Sequence, residues 1–221
     1  MKLYKQFLIT VFVFSGLIAC KDNKNQAETS VKAQVATSSE AGITYRVDPG
    51  QSVITWKGSK PLGTHNGRVM LESGSFSVVD KEIKAGTFKI DMTSIEDLDL
   101  EGENKQNLEA HLKGTVEGKE GDFFNVNKYP YSAFELTSIR EENGQTLMAG
   151  NLTIKDKINN IEFPVTVNME DQSIRLKSEP FSIDRTKWDV NYGSKTVFDN
   201  LGDKFIDDDM ELMVILVANK M

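Results

Sequence analysis

Cysteine is almost absent: the single one is Cys20, so no intramolecular disulfide and no paired-thiolate metal site can form. Histidine is nearly as scarce, with His65 and His111 supplying all the imidazole. Neither has a carboxylate at ligand spacing along the chain, which argues against a zinc or acid–base centre built on a local motif. A glycine–serine nucleophile elbow and a Gly-rich phosphate loop ahead of a helix are also missing. So is any positive excess. The chain carries 33 acidic against 26 basic residues, a formal net charge of −7, and an acidic surface binds a phosphate backbone poorly. These absences exclude nucleic acid as a partner. They leave no cofactor, no metal and no catalytic residue to expect, and the chain reads as a non-enzyme.

Long hydrophobic runs are missing except at the start. Lys2 and Lys5 precede a mostly apolar stretch from Phe7 to Ile18. That is about the length of a signal-peptide h-region, and it falls short of the roughly 20 residues a membrane span needs. The stretch ends in Leu17-Ile18-Ala19-Cys20, which resembles the bacterial lipobox, where the thiol is acylated and the chain is cut before it. The expectation is a signal peptide over 1–19 and a membrane-anchoring, lipidated Cys20. Residues 21–42 (KDNKNQAETSVKAQVATSSEAG) have no aromatic side chain and few aliphatic ones. Such a composition does not offset its own chain entropy, so 20–42 is expected to be a flexible tether. Lys21, standing where an Asp would favour inner-membrane retention, points to the outer membrane facing the periplasm, with export to the cell surface as the alternative.

Residues 43–221 are of a size to form one domain with a substantial core. Period-two alternation dominates there. Phe88, Ile90 and Met92 share one face of Thr87–Met92, and Ile161, Phe163, Val165, Val167 and Met169 share another. Ile54–Lys57, Ile174–Lys177 and, less strictly, Ala133–Ile139 continue the pattern. Glu142-Asn143-Gly144 and Glu170-Asp171-Gln172 fall between strands as turns. The pattern predicts an all-β fold: an up-and-down antiparallel β-barrel of about eight strands. Glu101–Lys113 has helix formers without alternation and is expected to be a short surface helix. Leu212–Ala218 is apolar on both faces, so its outer face needs a cover: the helix, a loop or a second subunit in a homodimer.

Several segments, in this order, are similar to the YceI-like family. They are Tyr45-Arg46-Val47-Asp48-Pro49; His65-Asn66-Gly67 leading to Gly74-Ser75-Phe76; His111-Leu112-Lys113; and Asp122-Phe123-Phe124-Asn125-Val126 with Tyr129-Pro130 and Phe134. Gly150–Lys155 with Pro164-Val165, Asp184–Gly193 and Leu201-Gly202-Asp203 complete the set. The resemblance covers Thr44 to Lys220. It implies a lipocalin-like barrel of the bacterial envelope that holds a polyisoprenoid, an isoprenoid quinone or another long lipid. Lys113–Gly121 (KGTVEGKEG) is longer than the family's usual connection and bears on ligand length and access.

An apolar ligand needs no sharp motif, since burial contributes about 0.8 kcal/mol per CH₂. The inward side chains expected to line such a site are Trp56, Phe88, Ile90, Phe134, Leu136, Leu152, Ile154, Phe163, Val165 and Val167. The same residues equally suit a barrel filled by its own core, acting through its surface; alternation alone is compatible with both. His111 is either a head-group contact or a helix-to-barrel hydrogen bond, and His65 sits in a turn. Asp203 with Asp207-Asp208-Asp209 reads as a solvated turn rather than a cation site, and Asp184-Arg185 as a structural ion pair or turn lock.

Overall fold

Wherever the chain alternates at period two, a strand forms. The computed structural model describes residues 26–38 and 41–221; the signal stretch 1–19 and Cys20 lie outside them. In chain order the elements are β1 (Glu28–Val31), β2 (Ile43–Val47), β3 (Val53–Lys60), β4 (Gly63–Val79), β5 (Glu82–Asp97) and α1 (Gly102–Lys113). Then follow β6 (Tyr131–Glu142), β7 (Gln145–Ile154), β8 (Lys157–Met169), β9 (Ser173–Ser178), β10 (Phe181–Asp184) and β11 (Asp209–Lys220). Every ladder between these strands is antiparallel. The β6–β7 hairpin turns through Asn143 and Gly144 at φ 51° and 78°, the positive pair that a two-residue type I′ turn requires.

The sheet closes. β4 through β9 pair in sequence, apart from the helix crossover, and β9 passes the ring on to β11. β2 and β3 act as two halves of one broken strand, each pairing with both β11 and β4. This gives a lipocalin-like ring of eight strands with no continuous open edge. The break between β2 and β3 lies beside one end of the apolar last strand. In the Asp48–Ser52 turn, the Asp48 N–H donates to the Val217 carbonyl at 2.8 Å and the Val217 N–H donates to Ser52 Oγ at 3.0 Å. Val217, beside that turn, is buried, while Met213 and Ile215 on the same outer face stay half-buried.

The expected tether over 20–42 needs correcting for residues 26–36. β9 pairs only with the second half of β8, and β10 pairs with β11, so the first half of β8 is left with a free edge. β1 fills it: Glu28–Val31 lie opposite Glu162–Asn159, and the Ala27 N–H donates to the Ser182 carbonyl of β10 at 2.9 Å. The strap then crosses the outer face. Asn151 of β7 clamps Ala33, accepting its N–H at 2.9 Å and donating to its carbonyl at 2.8 Å. At Leu136, where a register shift disrupts the β6–β7 ladder, the Leu136 carbonyl accepts the Ala36 N–H at 2.8 Å. A polar segment docks here because backbone hydrogen bonds, not side-chain burial, hold an added strand. Only Ala27 of the strap is buried.

Inside, the barrel is filled at one end. Tyr45, Val47, Val78, Ile83, Leu136, Val165, Ile174 and Ala218 pack there, each at most 6% exposed. A row of phenylalanines crosses above them: Phe76, Phe88, Phe134, Phe163 and Phe181, with successive ring centroids 4.9, 6.3, 5.8 and 4.2 Å apart. Gly150 makes room for it, since a Cβ there would stand 2.1 Å from the Phe134 ring.

Candidate functional site

Beyond the phenylalanine row the barrel is hollow. A cavity of about 360 Å³ occupies this half, within the roughly 300–1,000 Å³ of small-molecule sites. Its wall is apolar: Ile54 and Trp56 of β3, Val69 and Leu71 of β4, Ile90, Met92 and Ile95 of β5, Leu152 and Ile154 of β7, and Met210, Leu212, Val214 and Leu216 of β11. Phe88, Phe134 and Phe163 form its floor. Leu108 and Leu112 of α1, with Phe123, Phe124, Tyr192 and Ile206, close over it from the loops.

Seven of the ten expected lining residues stand on this wall: Trp56, Phe88, Ile90, Phe134, Leu152, Ile154 and Phe163. Leu136, Val165 and Val167 do not. They follow Phe134 and Phe163 along β6 and β8, so they fall on the filled side of the row: Leu136 and Val165 belong to the solid core, and the half-buried Val167 packs against it. Alternation marks the inward face of a strand but is blind to height along the barrel axis.

His111 serves as a clasp. Its Nε2 lies 2.7 Å from Asp122 Oδ2, and its ring meets Phe123 and Tyr192 edge-on, with centroids 5.0 and 4.7 Å away. This ties the end of α1 to both neighbouring loops, while the residue also borders the cavity. Helix α1 stops at Gly114, in the left-handed conformation at φ 67°, whose N–H returns to the His111 carbonyl. Of the long connection Lys113–Gly121, no residue lines the cavity, and Thr115 to Gly121 run mostly exposed. The Phe123-Phe124 pair that follows is what turns inward.

Arg185 locks the opposite side of the mouth. The buried guanidinium donates to three carbonyls, Val190 at 2.5 Å and Asp207 and Ile206 at 3.1 Å each, and lies 3.7 Å from Asp208 Oδ1. Burial lowers its pKa against the pull of Asp208, Asp184 and Asp207; it remains a cation. Asp184 is not its ion-pair partner but the cap of the following 3-10 turn Arg185–Trp188, accepting from Thr186 N–H at 3.0 Å. Trp188 of that turn is fully buried and donates to the Leu152 carbonyl at 2.9 Å, sealing the wall near β7. The acidic run 207–209 is drawn into this lock and into contacts with Thr196 and Gln26.

Two further polar features border the cavity, and no motif in the sequence marks either. Ser132 faces the cavity with its Oγ buried and without a hydrogen-bond partner. His65 also borders the cavity, and its Nδ1 lies 2.9 Å from Asp99 Oδ2. Spacing along the chain gives no hint of the second, because the partner comes from the end of the neighbouring strand.

The YceI-like domain matches this sequence over residues 45–218, from β2 to β11. The chain belongs to the YceI-like family. Its fold agrees with that of BcnA from Burkholderia cenocepacia, at 20% identity and a TM-score of 0.59, covering 78% of this chain and 99% of that one. A polyisoprenoid binding domain from Saccharophagus degradans aligns at 14% identity and a TM-score of 0.59, covering 81% and 99%. Comparison with curated proteins finds no match. The strap, residues 26–36, lies outside the stretch that defines the YceI-like domain.

Proposed function

We propose that this YceI-like protein is an envelope lipoprotein that holds a long apolar ligand, a polyisoprenoid, isoprenoid quinone or fatty lipid, in the hollow half of its barrel. It acts as a carrier or reservoir and not as a catalyst. The observation that carries this reading is the cavity of about 360 Å³ walled by aliphatic and aromatic side chains. Burying ten methylenes contributes about 8 kcal/mol, which alone corresponds to a dissociation constant on the order of micromolar. The structural neighbour from Saccharophagus degradans, a polyisoprenoid binding domain, supports the same ligand class. A barrel filled throughout, acting only by its surface, is at odds with the hollow.

The loops at the hollow end fit uptake from an apolar phase. Among the described residues, Leu62, Leu98, Tyr192, Val197 and Phe198 are large apolar side chains left exposed there. Acylation of Cys20 would set the distance to that phase. Local capture and hand-off at the membrane therefore suit the molecule better than transit across the periplasm.

Trp56 provides the test. It lines the cavity, whereas Trp188, the other tryptophan, does not. In Trp188→Phe, titration with a ubiquinone or a brominated fatty acid is expected to quench the remaining fluorescence saturably at one ligand per chain. Linear, non-saturating quenching with both compounds would show that the barrel takes up neither.

A further inference from the structure

Asp97 ends β5 with its side chain fully buried. Its Oδ1 accepts the N–H groups of Leu100 at 2.7 Å and Asp99 at 3.3 Å, yet its Oδ2 has no hydrogen-bond partner. A buried carboxylate oxygen left bare needs a proton or a cation to be tolerated. Two further groups converge beside it. Asp99 Oδ1 accepts the N–H of Asn66 at 2.7 Å, and Asp99 Oδ2 reaches His65 Nδ1 at 2.9 Å. One ligand-capable atom from each of His65, Asp97 and Asp99 lies within 4.8 Å of the other two.

No fixed cation balances this pair of acids. Among the described residues, neither Asp97 nor Asp99 is ion-paired to a lysine or arginine. The nearby Arg68 and Lys105 are both committed to Glu96, at 2.7 and 3.2 Å. Glu109 adds a third carboxylate, accepting the Asp97 N–H at 3.0 Å. Burial raises the Asp99 pKa, but the Asn66 N–H, His65 and Asp97 outweigh it and hold the carboxyl below its usual value. Asp97 is thus held through Oδ1 by two backbone N–H groups and Asp99 through Oδ1 by that of Asn66, which leaves the Oδ2 of each outside these backbone hydrogen bonds. Metal-binding carboxylates are oriented in this way by their outer shell.

We infer that His65, Asp97 and Asp99 form a divalent-cation site at the rim of the cavity, with one imidazole nitrogen and two carboxylate oxygens as ligands. The mixed nitrogen and oxygen set favours zinc over calcium or magnesium, because imidazole suits zinc whereas the other two take oxygen ligands. The 2.9 Å between His65 Nδ1 and Asp99 Oδ2 suits two adjacent ligands at metal distances of roughly 2.1 Å. A dication neutralises both aspartates, and three protein ligands leave coordination positions open to water or to an oxygen-bearing head group. His65 itself borders the cavity, so the ion stands where such a head group would lie. The site does not depend on the lipid-binding reading; only its use toward a head group does.

The test is isothermal titration of the full-length protein in detergent, stripped with EDTA, with Zn²⁺ and separately with Mn²⁺. One ion per chain is expected, with Zn²⁺ binding at micromolar or tighter concentration. Asp97→Asn keeps the acceptor for the two N–H groups and should lower Zn²⁺ affinity at least tenfold. Pulsed EPR of the Mn²⁺ form should show a histidine nitrogen coupling that disappears in His65→Gln. Absence of stoichiometric binding by either metal would overturn the site, as would binding unchanged in both variants. A stripped protein in which Asp97→Asn is more stable and no metal binds would assign the bare oxygen to a shared proton instead. Failure of lipids to quench Trp56 would leave the metal result standing, so the two readings fail separately.

Discussion

The two ends of this barrel are built from the same strands and the same alternation, yet one is solid and the other hollow. At the solid end, inward side chains from opposite walls meet: Tyr45, Val78, Leu136, Val165 and Ile174 are all buried in one cluster below the phenylalanine row. At the hollow end the walls carry equally apolar residues, but the far side is empty and the mouth is closed by α1 and by the loop that Arg185 ties down. Hydrophobic identity therefore does not distinguish core from ligand site. What does is whether a cross-barrel partner exists to complete the contact.

Truncations at the two ends should differ most. Leu136→Ala, in the solid end, is expected to lose about 2–5 kcal/mol of unfolding free energy by urea titration. Leu212→Ala, facing the hollow, should lose less than half of that, since the removed atoms already lacked neighbours on one side. Equal losses would show that the hollow end is packed in solution. The reverse experiment inserts bulk. Val165→Trp should cost about 1–3 kcal/mol through overpacking, whereas Ile90→Trp should fit within about 1 kcal/mol and abolish ligand-dependent quenching of Trp56, because the void accepts the ring.

Asn151→Ala tests the strap that closes the wall beside the cavity. Removing the paired hydrogen bonds to Ala33 should destabilise the protein by about 1–2 kcal/mol. Hydrogen exchange over residues 28–36 should rise before that of β7 does; simultaneous exchange would mean the strap unfolds only with the barrel. The smallest effect is set by pH. The Asp99 carboxyl is held below its ordinary value, so its charged form contributes stability above the unfolded-state pKa. That contribution is lost as pH falls through the lower folded value. Wild type should thus exceed Asp99→Asn in thermal stability at neutral pH, and the difference should shrink on acidification. A constant difference from neutral to acid pH would contradict the assignment.

Much of this fold is legible in the residues. Phe88-x-Ile90-x-Met92 and the five alternating apolar residues of β8 specify strands with one inward face, and Asn143-Gly144 specifies their tight turn. Three features are not legible, each for a physical reason. The strap has a tether's composition, and its partners are a free edge on β8 and the Asn151 amide, both far along the chain. Leu136, Val165 and Val167 share the alternation of the cavity wall, and only barrel geometry puts them below the row. His65, Asp97 and Asp99 converge because a hairpin of long strands brings β4 and the end of β5 together, a long-range contact that no local spacing records.

A lipid chain is the occupant we propose for the hollow half of the barrel. Native mass spectrometry of the protein secreted into the periplasm of a quinone-producing bacterium, followed by organic extraction, tests it most directly. A stoichiometric adduct of an isoprenoid or fatty lipid, lost in Ile90→Trp, is expected. A bare protein mass that stays bare after incubation with quinones and fatty acids would contradict it.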